Sequence, residues 1–89
     1  MQECTVIIVN KLGLHARAAS KFVNLAKRFA SRIEVSNATK SVDGKSIMSI
    51  MLLAASQGTE IGLRINGEDE LDAMQAITQL IADRFGEGE

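Results

Sequence analysis

In the run EIGLRIN, residues 60–66, every second residue is a large apolar one, with Ile61, Leu63 and Ile65 on one side and polar residues or glycine on the other. Successive side chains of a β-strand point to opposite faces of the sheet, so this run predicts a strand with one buried face and one wet face. Such strands are typical of antiparallel sheets, which need cover on one side only. The rest of the chain therefore has to supply helices for a single face.

The remaining elements follow from apolar spacing. A β-branched run predicts a buried strand at residues 5–9. Two more strands are expected at residues 32–36 and, as a short returning strand, at residues 40–42. Helices are expected from residue 16 for about 13 residues, from the N-cap Ser46 through residue 55 with Gly58 closing it, and from residue 71 to near Phe85. The tail, residues 86–89, is expected to be frayed.

The resulting order is β-α-β-β-α-β-α. Three amphipathic helices have only the apolar face of the sheet to cover. We therefore predict an α/β (α+β) fold, an open-faced β-sandwich with a four-stranded antiparallel sheet and three helices on one face. The chain has 89 residues and no repeat or linker, which indicates one domain over residues 1–89.

Composition excludes several classes of function. The net charge is −1 and the aromatic residues are three phenylalanines, which disfavours nucleic-acid binding and an RNA-binding α/β module in particular. Cys4 is the only cysteine, so no disulfide framework is expected. No signal peptide, membrane span or metal-ligand cluster is visible, and we expect a cytoplasmic protein without metal or cofactor.

The run NKLGLHAR, residues 10–17, holds the only histidine of the chain. His15 is expected at or next to the N-cap of the first helix, where unpaired N–H groups and the helix dipole favour an anion such as phosphate. Arg17 adds a forked cation that can hold phosphate oxygens. A neutral imidazole is also a nucleophile, so the pattern permits covalent carriage of a phosphoryl group. A histidine that only caps the helix or lies on the surface remains the alternative.

The second helix is apolar nearly all round. Ile50, Leu53 and Ala54 suit the core, which leaves Ile47, Met48 and Met51 on the other side. Exposed apolar surface rich in methionine is typical of a docking site, and we call these three residues the docking patch. Basic residues around it suit an acidic partner. A loop that covers the helix is the alternative interpretation.

Two stretches resemble the HPr family, the histidine-containing phosphocarriers of the bacterial phosphoenolpyruvate-dependent phosphotransferase system. GLHARAAS, residues 13–20, is similar to the active-site motif of that family, and KSIMSIMLLAA, residues 45–55, is similar to the motif around its regulatory serine. The order of strands and helices resembles the family fold along nearly the whole chain. Ala18 departs from the family pattern, which often has proline there; alanine suits a first helical turn.

The resemblance implies roles for particular residues. His15 would be the phosphoryl acceptor, through Nδ1, with Arg17 and the backbone at Ala16 and Ala18 holding the phosphate. Enzyme I would be the donor and enzyme IIA domains the acceptors. The docking patch would meet these partners within a polar rim formed by Ser20, Lys27 and Lys45.

Ser46 has two interpretations. In part of the family this serine is the target of an HPr kinase/phosphorylase, which would add about 1.5 to 2 negative charges beside the docking patch. It can also act solely as a helix cap.

Three functions stay open. The first is a monomeric phosphocarrier for sugar uptake and carbon catabolite regulation. The second is a nitrogen-branch or truncated regulatory relative that uses the same histidine without sugar transport. The third is a non-covalent anion-binding or docking module in which His15 is never phosphorylated.

Overall fold

A computed structural model describes residues 1–88, and its strands form one antiparallel sheet. Within those residues the four strands are β1 (Gln2–Ile7), β2 (Arg32–Ser36), β3 (Ser41–Asp43) and β4 (Glu60–Asn66). Their order across the sheet is β1-β4-β2-β3, and each neighbouring pair is antiparallel. The predicted fold class is confirmed.

Strand β4 lies inside the sheet, between β1 and β2, and shows the predicted alternation. Ile61, Leu63 and Ile65 are buried, whereas Glu60, Arg64 and Asn66 are exposed. The partner strand β2 buries two more side chains on the same face. This apolar face is the floor of the core.

Three α-helices of the described chain cover that floor: α1 (Ala16–Ala26), α2 (Ile47–Leu52) and α3 (Glu70–Ala82). Their inward stripes follow the helical period, as expected for helices with one buried side. Helix α1 packs against both α2 and α3. The side chains that the three helices bury are Ala18, Ala19, Phe22, Val23, Ala26, Ile50, Ala73, Ile77 and Ile81.

The first strand differs from its prediction. It spans Gln2–Ile7, and its side chains alternate between partly buried and exposed, with Ile7 and Val9 exposed. The prediction that the run 5–9 is a buried strand is therefore wrong for Ile7 and Val9, although Ile8 is fully buried. Strand β1 is an edge strand of a sheet that is open on one side, so only alternate residues can reach the core.

Helices α1 and α2 end earlier than predicted. After Ala26 the amides of Arg28 and Phe29 bond the carbonyl oxygens three residues back, in tight turns that end α1. Helix α2 ends at Leu52, not at residue 55, because Ala54 adopts a left-handed conformation with φ of 50°. This turn leaves Ala54 exposed and buries Ala55 instead, contrary to the prediction that Ala54 lies in the core.

Helix α3 begins close to its predicted start but ends at Ala82, before the predicted end near Phe85, because Arg84 and Phe85 adopt left-handed conformations; Leu71 is exposed rather than buried. A 3-10 turn, Arg84–Gly86, follows it and buries Phe85 completely. The tail was expected to be frayed, but Glu87 is held by two side-chain contacts. Glu89, the last residue of that predicted tail, lies outside the described residues.

Candidate functional site

His15 is the N-cap residue of α1, as the sequence predicts. Its backbone is extended, with φ of −75° and ψ of 178°, and its carbonyl oxygen accepts the first helical hydrogen bond from Ala19 N at 2.8 Å. The amides of the next three residues precede that bond and belong to the unpaired positive end of the helix. The side chain forms no cap bond, so the imidazole is available for another partner.

The loop before α1 is tied to the loop after α2. Gly13 has φ of 67°, and Leu14 N donates to Ala55 O at 2.8 Å. A Cβ at Gly13 would lie 2.4 Å from Ala55 O, so only glycine permits this close approach. The contact fixes the position of the histidine relative to the helix that carries the docking patch.

Three cations lie near the start of α1. Lys11, Arg17 and Lys21 line a cavity of about 240 Å³, together with Leu12, Gly86 and Glu87. Lys21 Nζ also donates to Phe85 O at 2.7 Å, which holds the C-terminal turn against α1. Three cations against the one carboxylate of Glu87 leave the lining with a net positive charge, which favours an anion such as phosphate.

Glu87 reaches this site from the end of the chain. Its Oε2 is bonded to His15 Nε2, and its Oε1 accepts from Asn10 Nδ2 at 2.9 Å. Burial raises the pKa of the Glu87 carboxyl, but the hydrogen bonds from Asn10 and His15, with the attraction of His15 and Lys21, lower it by more. The pKa of Glu87 therefore lies below its ordinary value, and the group is a carboxylate at neutral pH.

Asn10 is fully buried and joins Glu87 to the loop before α1. Its Nδ2 donates to Gly13 O at 2.8 Å as well as to Glu87. Its Oδ1 is buried and accepts no hydrogen bond from the described residues.

Sequence reasoning placed His15 and Arg17 at this site but missed Asn10, Lys21 and Glu87 as parts of it. Asn10 directly follows the predicted strand at residues 5–9, and Glu87 stands 72 positions from His15 in a short glycine-rich tail. No local pattern connects them.

The second predicted feature, the docking patch, lies on α2. Ile47, Met48 and Met51 are 39%, 73% and 43% exposed, while Ile50 of the same helix is fully buried. No loop of the described residues covers the outer side of this helix, so the predicted exposure of the patch is confirmed. Helices α1 and α2 pack together, so the helix that carries the patch lies next to the helix that His15 caps.

The predicted rim residues differ in their surroundings. Ser20 is half-buried and Lys27 is exposed, just past the end of α1. Lys45 Nζ donates to Phe29 O at 2.7 Å, so this ammonium is tied to the turns after α1. Lys45 therefore adds positive charge at a fixed position.

Ser46 caps α2 as predicted. Its Oγ accepts from Ser49 N at 3.3 Å, and its carbonyl oxygen accepts from Ile50 N at 3.0 Å. The side chain is half-buried and lies one residue before the docking patch.

No cluster of three or more histidine, cysteine, aspartate or glutamate side chains among residues 1–88 has the arrangement of a metal site. Over the same residues, no helix has the length and apolar character needed to cross a membrane.

Comparison with known proteins gives consistent matches. The family model "PTS HPr component phosphorylation site" matches residues 2–83. The phosphocarrier protein HPr of Pseudomonas putida is 54% identical over 85 residues, which is 94% of each chain. The crystal structure of HPr-C-His from Thermoanaerobacter tengcongensis superposes with a TM-score of 0.94, at 48% identity and 98% coverage of both chains. A crystal structure of an HPr dimer from the same organism has a TM-score of 0.79, at 48% identity, over 98% of this chain and all of that one.

Proposed function

The chain belongs to the HPr family of phosphocarriers of the phosphotransferase system, and on that premise we propose that His15 accepts a phosphoryl group from enzyme I and donates it to enzyme IIA domains for sugar uptake and its regulation. One observation carries this proposal most. The only imidazole of the chain caps α1, beside a cavity lined by Lys11, Arg17 and Lys21.

Within this proposal the helix end holds the phosphoryl group. The amides of Ala16, Arg17 and Ala18 belong to the first turn of α1, which favours negative charge. The exposed guanidinium of Arg17 adds a forked donor for phosphate oxygens. No second acid or base is needed on this chain, because the donor and acceptor proteins supply the rest of the reaction.

Partner recognition is assigned to the docking patch and its rim. The apolar side chains of Ile47, Met48 and Met51 are exposed on α2. The positive charges of Lys27 and Lys45 suit acidic partner surfaces. The patch would serve enzyme I and several enzyme IIA domains in turn, which requires transient contacts. We therefore expect the chain to work as a monomer. We also expect it to be cytoplasmic and to fold as one domain over residues 1–89.

Ser46 is proposed as the target of an HPr kinase/phosphorylase. A phosphate there would add about 1.5 to 2 negative charges next to the docking patch. The modified side chain still lies at a helix N-terminus, so the fold tolerates it, and the expected effect is weaker binding of enzyme I. Treatment with the kinase and ATP, followed by intact mass and titration with enzyme I, tests this expectation against a Ser46→Ala control.

The transfer itself is tested with phosphoenolpyruvate, magnesium and a sugar-type enzyme I. We expect one added phosphoryl mass that is labile to acid and a new phosphorus NMR signal, both absent in His15→Ala. Arg17→Ala should slow the transfer, while the matched control Arg28→Ala, an exposed cation after the end of α1, should not.

The outcome separates the three candidate functions. Transfer from a nitrogen-type enzyme I but not from the sugar-type one would assign the chain to the regulatory branch. No transfer from either enzyme to the folded protein would leave a non-covalent anion-binding or docking module.

A further inference from the structure

The C-terminal segment is held in a costly conformation that directs Glu87 toward His15. Arg84, Phe85 and Gly86 have φ of 56°, 53° and 74°, so two residues with side chains occupy the left-handed region in succession. Such strain persists only where the surroundings enforce it. Here the complete burial of Phe85 and the bond from Lys21 Nζ to Phe85 O supply that enforcement.

Glu87 is held from its other side by Asn10. The amide Nδ2 of Asn10 donates both to Gly13 O at 2.8 Å and to Glu87 Oε1 at 2.9 Å. This orientation leaves the buried Oδ1 without a bond from the described residues, which carries a cost. Both acceptors, the Gly13 carbonyl and the Glu87 carboxylate, require donors, so the orientation of the amide is determined.

The contact between Glu87 and His15 determines where the imidazole carries its proton. An ionised carboxylate can only accept hydrogen bonds. Since Glu87 Oε2 is bonded to Nε2 of His15, that nitrogen must be the donor. In a neutral ring the lone pair then lies on Nδ1.

We propose that Glu87 is a positioning residue for His15: with Asn10, it holds the imidazole in the tautomer that bears its proton on Nε2 and leaves Nδ1 as the nucleophile. The inference rests on the proposed function, because it concerns the histidine that would carry the phosphoryl group. It gives the chain the general arrangement of a nucleophile oriented by a further group.

The step is balanced without a proton acceptor. The Nδ1 lone pair forms the bond to phosphorus, and the bond between phosphorus and the donor's leaving group breaks, with its electron pair going to the donor. The ring keeps the proton on Nε2 and becomes positively charged, and the Glu87 carboxylate beside it balances that charge. Donation to the next protein reverses these changes.

Two measurements test the proposal on the full chain. Long-range proton–nitrogen NMR at about pH 8, above the ordinary titration range of imidazole, shows which ring nitrogen bears the proton. Single-turnover transfer from phosphorylated enzyme I gives the rate of acceptance. The variants are Glu87→Ala and the matched control Glu68→Ala, which removes an exposed carboxylate outside the site.

We expect the Nε2–H tautomer to dominate in the wild type and in Glu68→Ala. In Glu87→Ala the Nδ1–H tautomer should become populated, and acceptance should slow on the order of 10-fold, as on loss of an outer partner that orients an imidazole. Glu87→Gln keeps the shape but offers one acceptor oxygen to two donors. Glu87→Gln should also populate the Nδ1–H tautomer and slow acceptance. That result would show that the defect of Glu87→Ala does not come from a general disturbance of the C-terminal turn.

A wild-type rate in Glu87→Ala would overturn the proposal. A slower rate with an unchanged tautomer would also overturn it, since the carboxylate would then act by charge or docking alone. Failure of the proposed function is distinguishable, because the wild-type chain would then take no phosphoryl group from either kind of enzyme I, whatever its tautomer.

Discussion

Replacing Gly13 by alanine should destabilise the protein more than the same change at Gly58. Both glycines have positive φ, 67° and 88°. Alanine in the left-handed region costs about 1 to 2 kcal/mol at either position. The positions differ in space, because a Cβ at Gly13 would lie 2.4 Å from Ala55 O and 2.8 Å from Ser56 Cα, whereas a Cβ at Gly58 meets no atom within 4 Å.

The magnitude follows from that difference. Gly13→Ala has to push two backbone segments apart, and overpacking of this kind costs typically about 1 to 3 kcal/mol beyond the strain. The bond from Leu14 N to Ala55 O, 2.8 Å long, lies at the same place and is expected to lengthen. We therefore expect a total loss of about 2 to 5 kcal/mol, a large part of the 5 to 15 kcal/mol typical of a whole domain.

Urea unfolding of both variants measures the effect. With a slope of about 1 kcal/mol per molar urea, typical of a small protein, the midpoint of Gly13→Ala should lie about 1 to 3 M below that of Gly58→Ala. Equal midpoints would refute the reasoning, since the two variants would then share the strain of positive φ and the close approach would cost nothing.

Three further predictions concern the helices and the acid stability of the fold. Ala54→Gly should raise the free energy of unfolding by about 1 kcal/mol in the same urea assay, because Ala54 occupies, with φ of 50°, the left-handed position after a helix that usually carries glycine. Met48→Ala should leave stability within about 0.5 kcal/mol but weaken enzyme I binding in titration calorimetry, whereas Ile50→Ala, at a fully buried position, should cost about 2 to 5 kcal/mol. The pKa of Asp69 lies below its ordinary value of 3.8, mainly through the hydrogen bond from Ser31, so its contribution to stability is complete above that value and is lost as pH falls through the lowered pKa. Asp69→Asn should flatten the decline in urea midpoint below about pH 4, and an unchanged slope would contradict this assignment.

The elements predicted best were those whose residues have one environment along their whole length. In strand β4 buried and exposed side chains alternate, because one face meets the core and the other meets water. The pattern of EIGLRIN therefore predicts both the strand and which of its residues are buried. The stripe of α1 was equally clear, although its end was not. The turns after Ala26 depend on bonds from Arg28 and Phe29 to carbonyl oxygens three residues back, which no spacing reveals.

Contacts between distant segments explain the errors. Helix α2 ends early because Ala55 is buried and accepts the bond from Leu14 N, and a left-handed Ala54 is the backbone change that permits this. The sequence predicts His15 and Arg17 at a helix start because capping and dipole effects are local. The contact of Glu87 with His15 depends on how α3 packs across α1. The apolar periodicity of the sequence predicts each helix but not how the two helices pack together.

The same contacts hold the histidine in place from two directions. The bond from Leu14 N to Ala55 O joins the residue before His15 to the end of α2, and the Asn10–Glu87 pair holds the ring itself. Under the proposed function, an imidazole positioned in this way does not require a partner protein to orient it, so binding free energy from each partner is available for docking and transfer. Discrimination among partners is then assigned to the adaptable methionines of α2 rather than to the histidine, and variants of the docking patch should change partner preference while the tautomer of His15 stays constant.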